Sequence, residues 1–227
     1  MNIKVLDKGF VDVVDSLGSD LTVVNSARVS FGKRKEKFTK ADEKLIRYLA
    51  KHKHYSPFRH IQVQFHIKAP EFVMRQWYKH VVGIETTSNS SIKDHAWNEI
   101  SGRYVEVEDY YIPSVFRAQS EDNKQASEGE IERQELAEFI WSSTLKSTQD
   151  AYESLLKLGT AKEQARAILP LNQYTEVYWT ASFQAIMNFI ELRDEATAQW
   201  EIQQYAKVLK KVMQQMFPVT TIAWLEQ

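Results

Sequence analysis

Cysteine is absent from the 227 residues. That removes disulfides, thiolate metal sites and cysteine nucleophiles together, and it fits a reducing compartment. No run of about 20 apolar residues occurs, the length a helix needs to cross a bilayer. Neither sign of charge is in excess: 29 basic against 30 acidic residues leave a net charge of −1. Whole-chain electrostatics therefore give no support to nucleic-acid or membrane binding, and any anion site must be local. There is no Gly-rich phosphate loop and no G-x-S-x-G, which argues against a Rossmann dinucleotide fold. The start "MNIKVLDKGF" interleaves charged with apolar residues and does not read as a signal peptide. The expectation is a soluble cytoplasmic protein that binds neither nucleic acid nor membrane. Six histidines are present, but His52/His54 and His60/His66 lack the i, i+4 spacing and carboxylate partner of a zinc helix, and no metal site is expected from them, His80 or His95.

What is present suffices for a core. A 43% hydrophobic content needs no disulfide or metal staple, and the length suits one large domain or two small ones. Residues 3–14 read as a strand with a charged turn at Asp7-Lys8-Gly9. "NSARVSFGK" (25–33) reads as a short polar element. Thr39 and Asp42 suggest a capping box for a helix with Leu45, Tyr48, Leu49 and His52 on one face. Residues 61–69 alternate: Ile61, Val63, Phe65 and Ile67 on one side, Gln62, Gln64, His66 and Lys68 on the other, a half-buried strand. Pro70 then suits the first position of a helix, whose stripe Phe72, Val73, Gln76, Trp77 and His80 turns polar at its end. Residues 83–95 read as a loop, 103–113 as a second strand or extended segment, and 118–130 as a solvated linker. A long helix ends at Leu158 with Gly159 beyond it. Thr160 and Glu163 suggest a capping box for a short helix stopped by Pro170. Residues 174–182 read as a strand and Phe183 to about Phe217 as helix, with Ile202, Tyr205, Leu209, Val212 and Met216 inward. The fold class is α+β: a small, mostly antiparallel sheet packed against several long helices, one domain over 1–227 with an atypical loop at 81–97.

The polar motifs point to anion and amide recognition. In "NEISGR", Ser101-Gly102-Arg103 can offer backbone N–H groups and a guanidinium to a phosphate. Glu99 would repel phosphate but accept from a ligand amide or hydroxyl, a combination that suits a nucleotide; a surface turn with a Glu–Arg pair reads equally well. "RQWYKH" offers Gln76 and Lys79, or only a helix end whose cations suit its dipole. Arg166 and Arg193, taken singly, read as salt-bridged helix arginines. With Arg103 they could converge on one anion.

In order, "ARVSFGK", "HYSPFRH", "FHIKAPEFVMRQWYKH", "NEISGRY", "ARAILPLNQYT", "MNFIELR" and "AQWEIQQYA" resemble the flavin-dependent thymidylate synthases, from about Met1 to Pro218. The resemblance implies methylation of dUMP to dTMP with methylenetetrahydrofolate as carbon donor, NADPH as reductant and FAD as hydride carrier, in a homotetramer with shared active sites. It implies dUMP contacts from Gln76, Lys79, Ser101, Gly102, Arg103, Arg166 and Arg193. Arg193 would be catalytic, favouring ionisation of the uracil N3. It implies flavin contacts from Ser30, His54, Ser56, Lys79, His80, Glu99, Ser182, Gln184 and Asn188. The missing cysteine then gains a meaning, because the unrelated thymidylate synthases activate uracil by thiolate attack.

The chain also departs from that pattern. Lys79-His80-Val81 stands where Arg-His-Arg is expected, and lysine keeps the first charge but not the bidentate geometry. A longer spacer, "VGIETTSNSSIKDHAW", precedes Asn98, and Lys93 or His95 in it could replace the lost cation. Ser182, Gln184 and Thr197 are likewise not the expected residues. The departures motivate an alternative: a flavin- and nucleotide-binding relative acting as an NADPH oxidase without methyl transfer.

Overall fold

The alternation over residues 61–69 produces the central strand pair of the molecule. The computed structural model describes residues 1–80 and 95–227. In chain order its strands are β1 (Asn2–Val5), β2 (Gly9–Leu17), β3 (Gln62–Pro70), β4 (His95–Glu99), β5 (Arg117–Gln119), β6 (Ser127–Glu130) and β7 (Tyr174–Ser182). Its helices are α1 (Asp20–Arg28), α2 (Lys40–Lys51), α3 (Glu71–Trp77), α4 (Gln134–Lys157), α5 (Lys162–Ala165), α6 (Phe183–Arg193), α7 (Trp200–Met216) and α8 (Pro218–Leu225). Short 3-10 turns lie at Val29–Phe31, Ser56–His60 and Arg166–Ile168. The architecture is α+β, with an antiparallel sheet ordered β1-β2-β3-β7-β4 and a separate β5-β6 ribbon.

Strands β3 and β7 pair along their full length, from Gln62 opposite Ser182 to Pro70 opposite Tyr174. Val63, Phe65, Ile67, Val177, Trp179 and Ala181 turn to the core. Both strands pass into helices without a loop: Pro70 ends β3 and caps α3, and Ser182 ends β7 and caps α6. The two helices return beneath the sheet, where Trp77 stacks on Phe189 at 4.3 Å and meets Trp179 edge-on at 5.4 Å. Helix α7 closes this core with Ile202, Tyr205, Ala206, Leu209, Val212 and Met213.

Several expectations need correction. The expected charged turn at Asp7-Lys8-Gly9 divides residues 3–14 into two strands of a hairpin rather than one strand, and Leu6 at φ 57° lets the chain reverse there. Residues 25–33 carry the end of α1 and a 3-10 turn. Helix α2 does begin with the Thr39–Asp42 capping box, but it buries Asp42, Ile46, Leu49 and Ala50; Tyr48 and His52 are exposed. Pro70 is the cap residue of α3 rather than its first helical position. Residues 103–113 form no strand; their one backbone bridge is Tyr110 to Gln173, and Asp109 is bonded to Lys68 of β3. Residues 118–130 are largely the β5-β6 ribbon, not a linker. Ala161, not Thr160, caps α5, with no side-chain bond. The last helical stretch breaks between α6 and α7, and α8 begins at Pro218. The greater part of the 81–97 loop lies outside the described residues; its last part is the start of β4.

Asp42 locks the α1–α2 corner. It is fully buried and accepts from Arg28 Nη2 at 2.9 Å, from Lys35 Nζ, and from the backbone and hydroxyl of Thr39 at 2.9 and 2.7 Å. Burial pushes its carboxyl up, but the bonds from Lys35, Thr39 and Arg28 outweigh that and hold it well below the usual range. A depressed folded value contributes stability above the unfolded value, about 4, and loses it as pH falls further. Asp42→Asn is expected to lower unfolding free energy by about 3 kcal/mol near pH 7. In denaturant titrations the gap to the parent should narrow from pH 5 to pH 2.

Candidate active site

The turn after β4 builds the first group. Strand β4 pairs with β7 from His95 opposite Ala181 to Glu99 opposite Val177, and the Ile100 N–H then donates to the Glu176 carbonyl at 2.9 Å. The chain turns at once, with Tyr104 N–H bonded to the Ser101 carbonyl at 2.9 Å and Arg103 donating to Ser101 Oγ through both N and Nε at 3.3 Å. A Cβ built on Gly102 would stand 3.2 Å from Cδ of Arg166. The bare glycine thus lets this turn lie against the arginine that follows α5. Glu99, Ser101, Gly102, Arg103 and Arg166 line one cleft of about 620 Å³ together with Tyr174. Glu99 accepts from Thr175 Oγ1 at 2.7 Å and from Trp97 Nε1 at 3.3 Å. Burial and the nearby Glu99 push the Glu71 carboxyl up at the cleft wall. Two guanidiniums beside a polar turn suit a phosphate, and Glu99 suits an N–H or hydroxyl donor.

A second group sits at the far end of α3. Arg193 Nε donates to His80 Nε2 at 2.7 Å, so that His80 must carry its own proton on Nδ1. Burial and the adjacent guanidinium push the imidazole down to about 4. Burial also lowers Arg193. Asp194 next to it is engaged by Lys210 at 2.8 Å, so Arg193 has no carboxylate partner among the described residues. The Gln76 amide donates to Gln199 Oε1 at 2.5 Å across the α6–α7 break, and Lys79 is exposed nearby in sequence.

The third group lies where the 56–60 turn meets the start of α6. Ser182 is fully buried and accepts from the Ala185 N–H at 3.3 Å. Gln184, 7% exposed, accepts from Arg59 Nε at 2.6 Å. Asn188 is half-buried one turn further on. Ser30, His54 and Ser56 are exposed, and His54 faces the rings of Tyr48 and His52. The structure therefore divides the expected residues: Glu99, Ser101, Gly102, Arg103 and Arg166 share a cleft, whereas His80 and Arg193 pair elsewhere. Ser182 is five residues along β7 from the partner of Glu99, about 16 Å at 3.3 Å per residue. Lys93 lies outside the described residues, and of His95 only its place in β4 is described.

Sequence reasoning missed a charged brace on the polar face of the sheet. Lys68 Nζ donates to Asp109 Oδ2 at 2.7 Å and reaches Glu176 at 3.5 Å, while Lys8 meets Asp109 at 3.0 Å. Lys68 holds the Asp109 carboxyl down despite partial burial. The brace ties the 103–113 segment to β3. Its signal was present: Lys68 is one of the outward positions of the alternating strand, and Glu176 stands opposite it in register.

Comparison with known proteins follows this geometry. A family model described as "Thymidylate synthase complementing protein" matches residues 12–219. The flavin-dependent thymidylate synthase of Thermosipho melanesiensis is 42% identical over 231 residues, covering 100% of this chain and 94% of that protein. That of Thermus thermophilus is 41% identical over 227 residues, covering 100% of this chain and 79% of that protein. Among solved structures, the UMP/dUMP methylase PolB from Streptomyces cacaoi bound with 5-Br dUMP superposes with a TM-score of 0.84 at 29% identity, covering 99% of this chain and 97% of that one. Matching along the whole sequence and the whole fold, the chain belongs to the flavin-dependent thymidylate synthase family.

Proposed function

We propose that the chain methylates dUMP to dTMP, with methylenetetrahydrofolate as carbon donor, NADPH as reductant and FAD as redox carrier. The observation that carries this reading is the seating of the 101–103 turn against Arg166. It brings Arg103 and Arg166 to one cleft whose lining also carries Lys68 and the carboxylates Glu71, Glu99, Glu106, Glu108, Asp109 and Glu176. The two guanidiniums suit a phosphate and Glu99 an N–H donor, in a fold shared with a methylase bound to a dUMP analogue.

Arg103 and Arg166 hold the phosphate, with Ser101 and the bare Gly102 backbone letting it approach. Gln76 and Lys79 add contacts to the nucleotide. With no thiolate available, activation of the pyrimidine ring falls to charge. Among the described residues Arg193 has no carboxylate to neutralise it, so its positive charge would face the ring as negative charge develops at N3. His80 orients that guanidinium as a neutral acceptor. The donor set at the third group fits a flavin. Asn188 makes no side-chain hydrogen bond among the described residues, Ser182 sits at a helix start, and Glu99 lies toward the nucleotide side. Ser30, His54 and Ser56 complete the set that would hold it, with the buried Gln184 bonded to Arg59. FAD, when bound, supplies the hydride-transfer chemistry.

A homotetramer with shared active sites is part of the same reading. The separation of the flavin-side and nucleotide-side residues along β7 supports it. So does α4, which buries only Leu145 and Tyr152 of its 24 residues while exposing Leu136, Phe139 and Ile140.

Purified protein supplied with dUMP, methylenetetrahydrofolate, NADPH and FAD is expected to yield dTMP, and none once FAD is stripped. Consumption of NADPH without dTMP would instead establish the oxidase. Arg193→Ala is expected to lower kcat by about 10²- to 10³-fold. Arg166→Ala should weaken dUMP binding about 10- to 100-fold, since hydrogen bonds to charged groups are worth about 1.5–3 kcal/mol.

The His80 value sits below the ordinary one for histidine, so acid favours the unfolded chain as pH falls through about 6.5. Followed by NMR, the His80 imidazole should titrate near 4 and leave turnover without an inflection of its own between pH 6 and 8. A midpoint near 6.5 would mean that the Arg193 contact is not made.

A further inference from the structure

Arg59 has no expected role, yet among the described residues it is the cation bonded to a member of the flavin-side group. Its Nε donates to Gln184 Oε1 at 2.6 Å across 125 positions of sequence. Its backbone is equally fixed. The Gln62 amide donates to the Arg59 carbonyl at 2.9 Å, and the Phe183 N–H donates to the Ile61 carbonyl at 2.9 Å, so the turn and the start of α6 move as one. Among the described residues, neither Nη of Arg59 has a hydrogen-bond partner and no carboxylate pairs with it. The side chain is half-buried. A guanidinium held by one edge, with the other edge free, is set for a bidentate anion contact.

Gln184 is differently placed. At 7% exposure, with its oxygen already engaged, it has little left to offer a ligand. Its role in the pair is to orient Arg59. We propose that Arg59 is a cofactor-binding residue whose free guanidinium edge contacts the diphosphate of FAD, with Gln184 as its positioning residue. The assignment rests on the flavin reading above and names the part of the cofactor, since the diphosphate is its anionic portion. It also gives this chain a cation near the flavin that does not depend on position 81, where valine stands.

The test is titration of flavin-stripped protein with FAD, read by quenching of flavin fluorescence, beside the same titration with riboflavin, which lacks phosphate. Arg59→Ala is expected to weaken FAD binding about 10- to 100-fold, and Arg59→Lys less. Riboflavin should behave alike with parent and variant. FAD binding by Arg59→Ala equal to that of the parent would overturn the assignment and leave the flavin reading intact. Loss of riboflavin together with FAD in that variant would overturn the diphosphate contact. A parent protein that does not bind FAD would overturn the flavin reading, and this assignment with it.

Discussion

The pairing of β3 with β7 is the constraint from which the rest of the structure follows. Nine residues on each strand lie in one uninterrupted register. Their apolar sides carry Phe65 and Trp179 stacked at 5.8 Å, and their polar sides carry His66 and Lys68 against Tyr178 and Glu176. A slip of one residue would turn every side chain over, burying Lys68 and Glu176 and exposing Trp179. Because each strand runs straight into a helix, the register also sets where α3 and α6 begin. Because β4 pairs with the other edge of β7, it sets where the 99–103 turn emerges. One ladder thus places all three groups of candidate residues, and it places them apart.

Charge partnership sorts the arginines. Arg28, Arg47 and Arg117 are tied to Asp42, to Glu43 and Glu226, and to Glu201, and they brace the fold. Arg103, Arg166 and Arg193 have no such partner among the described residues, although acidic side chains are common in the chain. Arg193 is half-buried, where a cation left uncompensated is costly unless a ligand completes it, whereas Arg103 and Arg166 are exposed at the cleft. The contrast in partnership, more than the presence of arginine, supports the proposed roles.

Much of this was legible in the order of residues. The alternation over 61–69, the apolar run at 174–182, the Thr39–Asp42 box and the end of α4 at Gly159 are local signals, and each formed as its physics dictates. The ribbon at 118–130 and the break before Trp200 were missed because hydrophobic periodicity does not report where a chain reverses, whereas the charged turn at Asp7-Lys8-Gly9 did mark the first hairpin. Residues 103–113 alternate well enough for a strand but make only one backbone bridge, at Gln173, since β4 occupies that edge of β7. The polar turn "NEISGR" could be read as anion-binding from composition. Its contact with Arg166 could not, and neither could that of Arg59 with Gln184, because both depend on tertiary closure.

The central claim is that groups separated by the β3–β7 ladder complete one another between copies of the chain. Mixing Arg166→Ala protein with the slow Arg193→Ala protein, after dissociation and reassembly and at a dUMP concentration too low for Arg166→Ala alone to turn over, is the measurement to make. Each variant keeps the group that the other lacks, so mixed assemblies contain some sites with both arginines. The account predicts that dTMP formation rises on mixing. Mixed assemblies that form and are no faster than Arg193→Ala alone would contradict it, placing both arginines in a site built by a single chain.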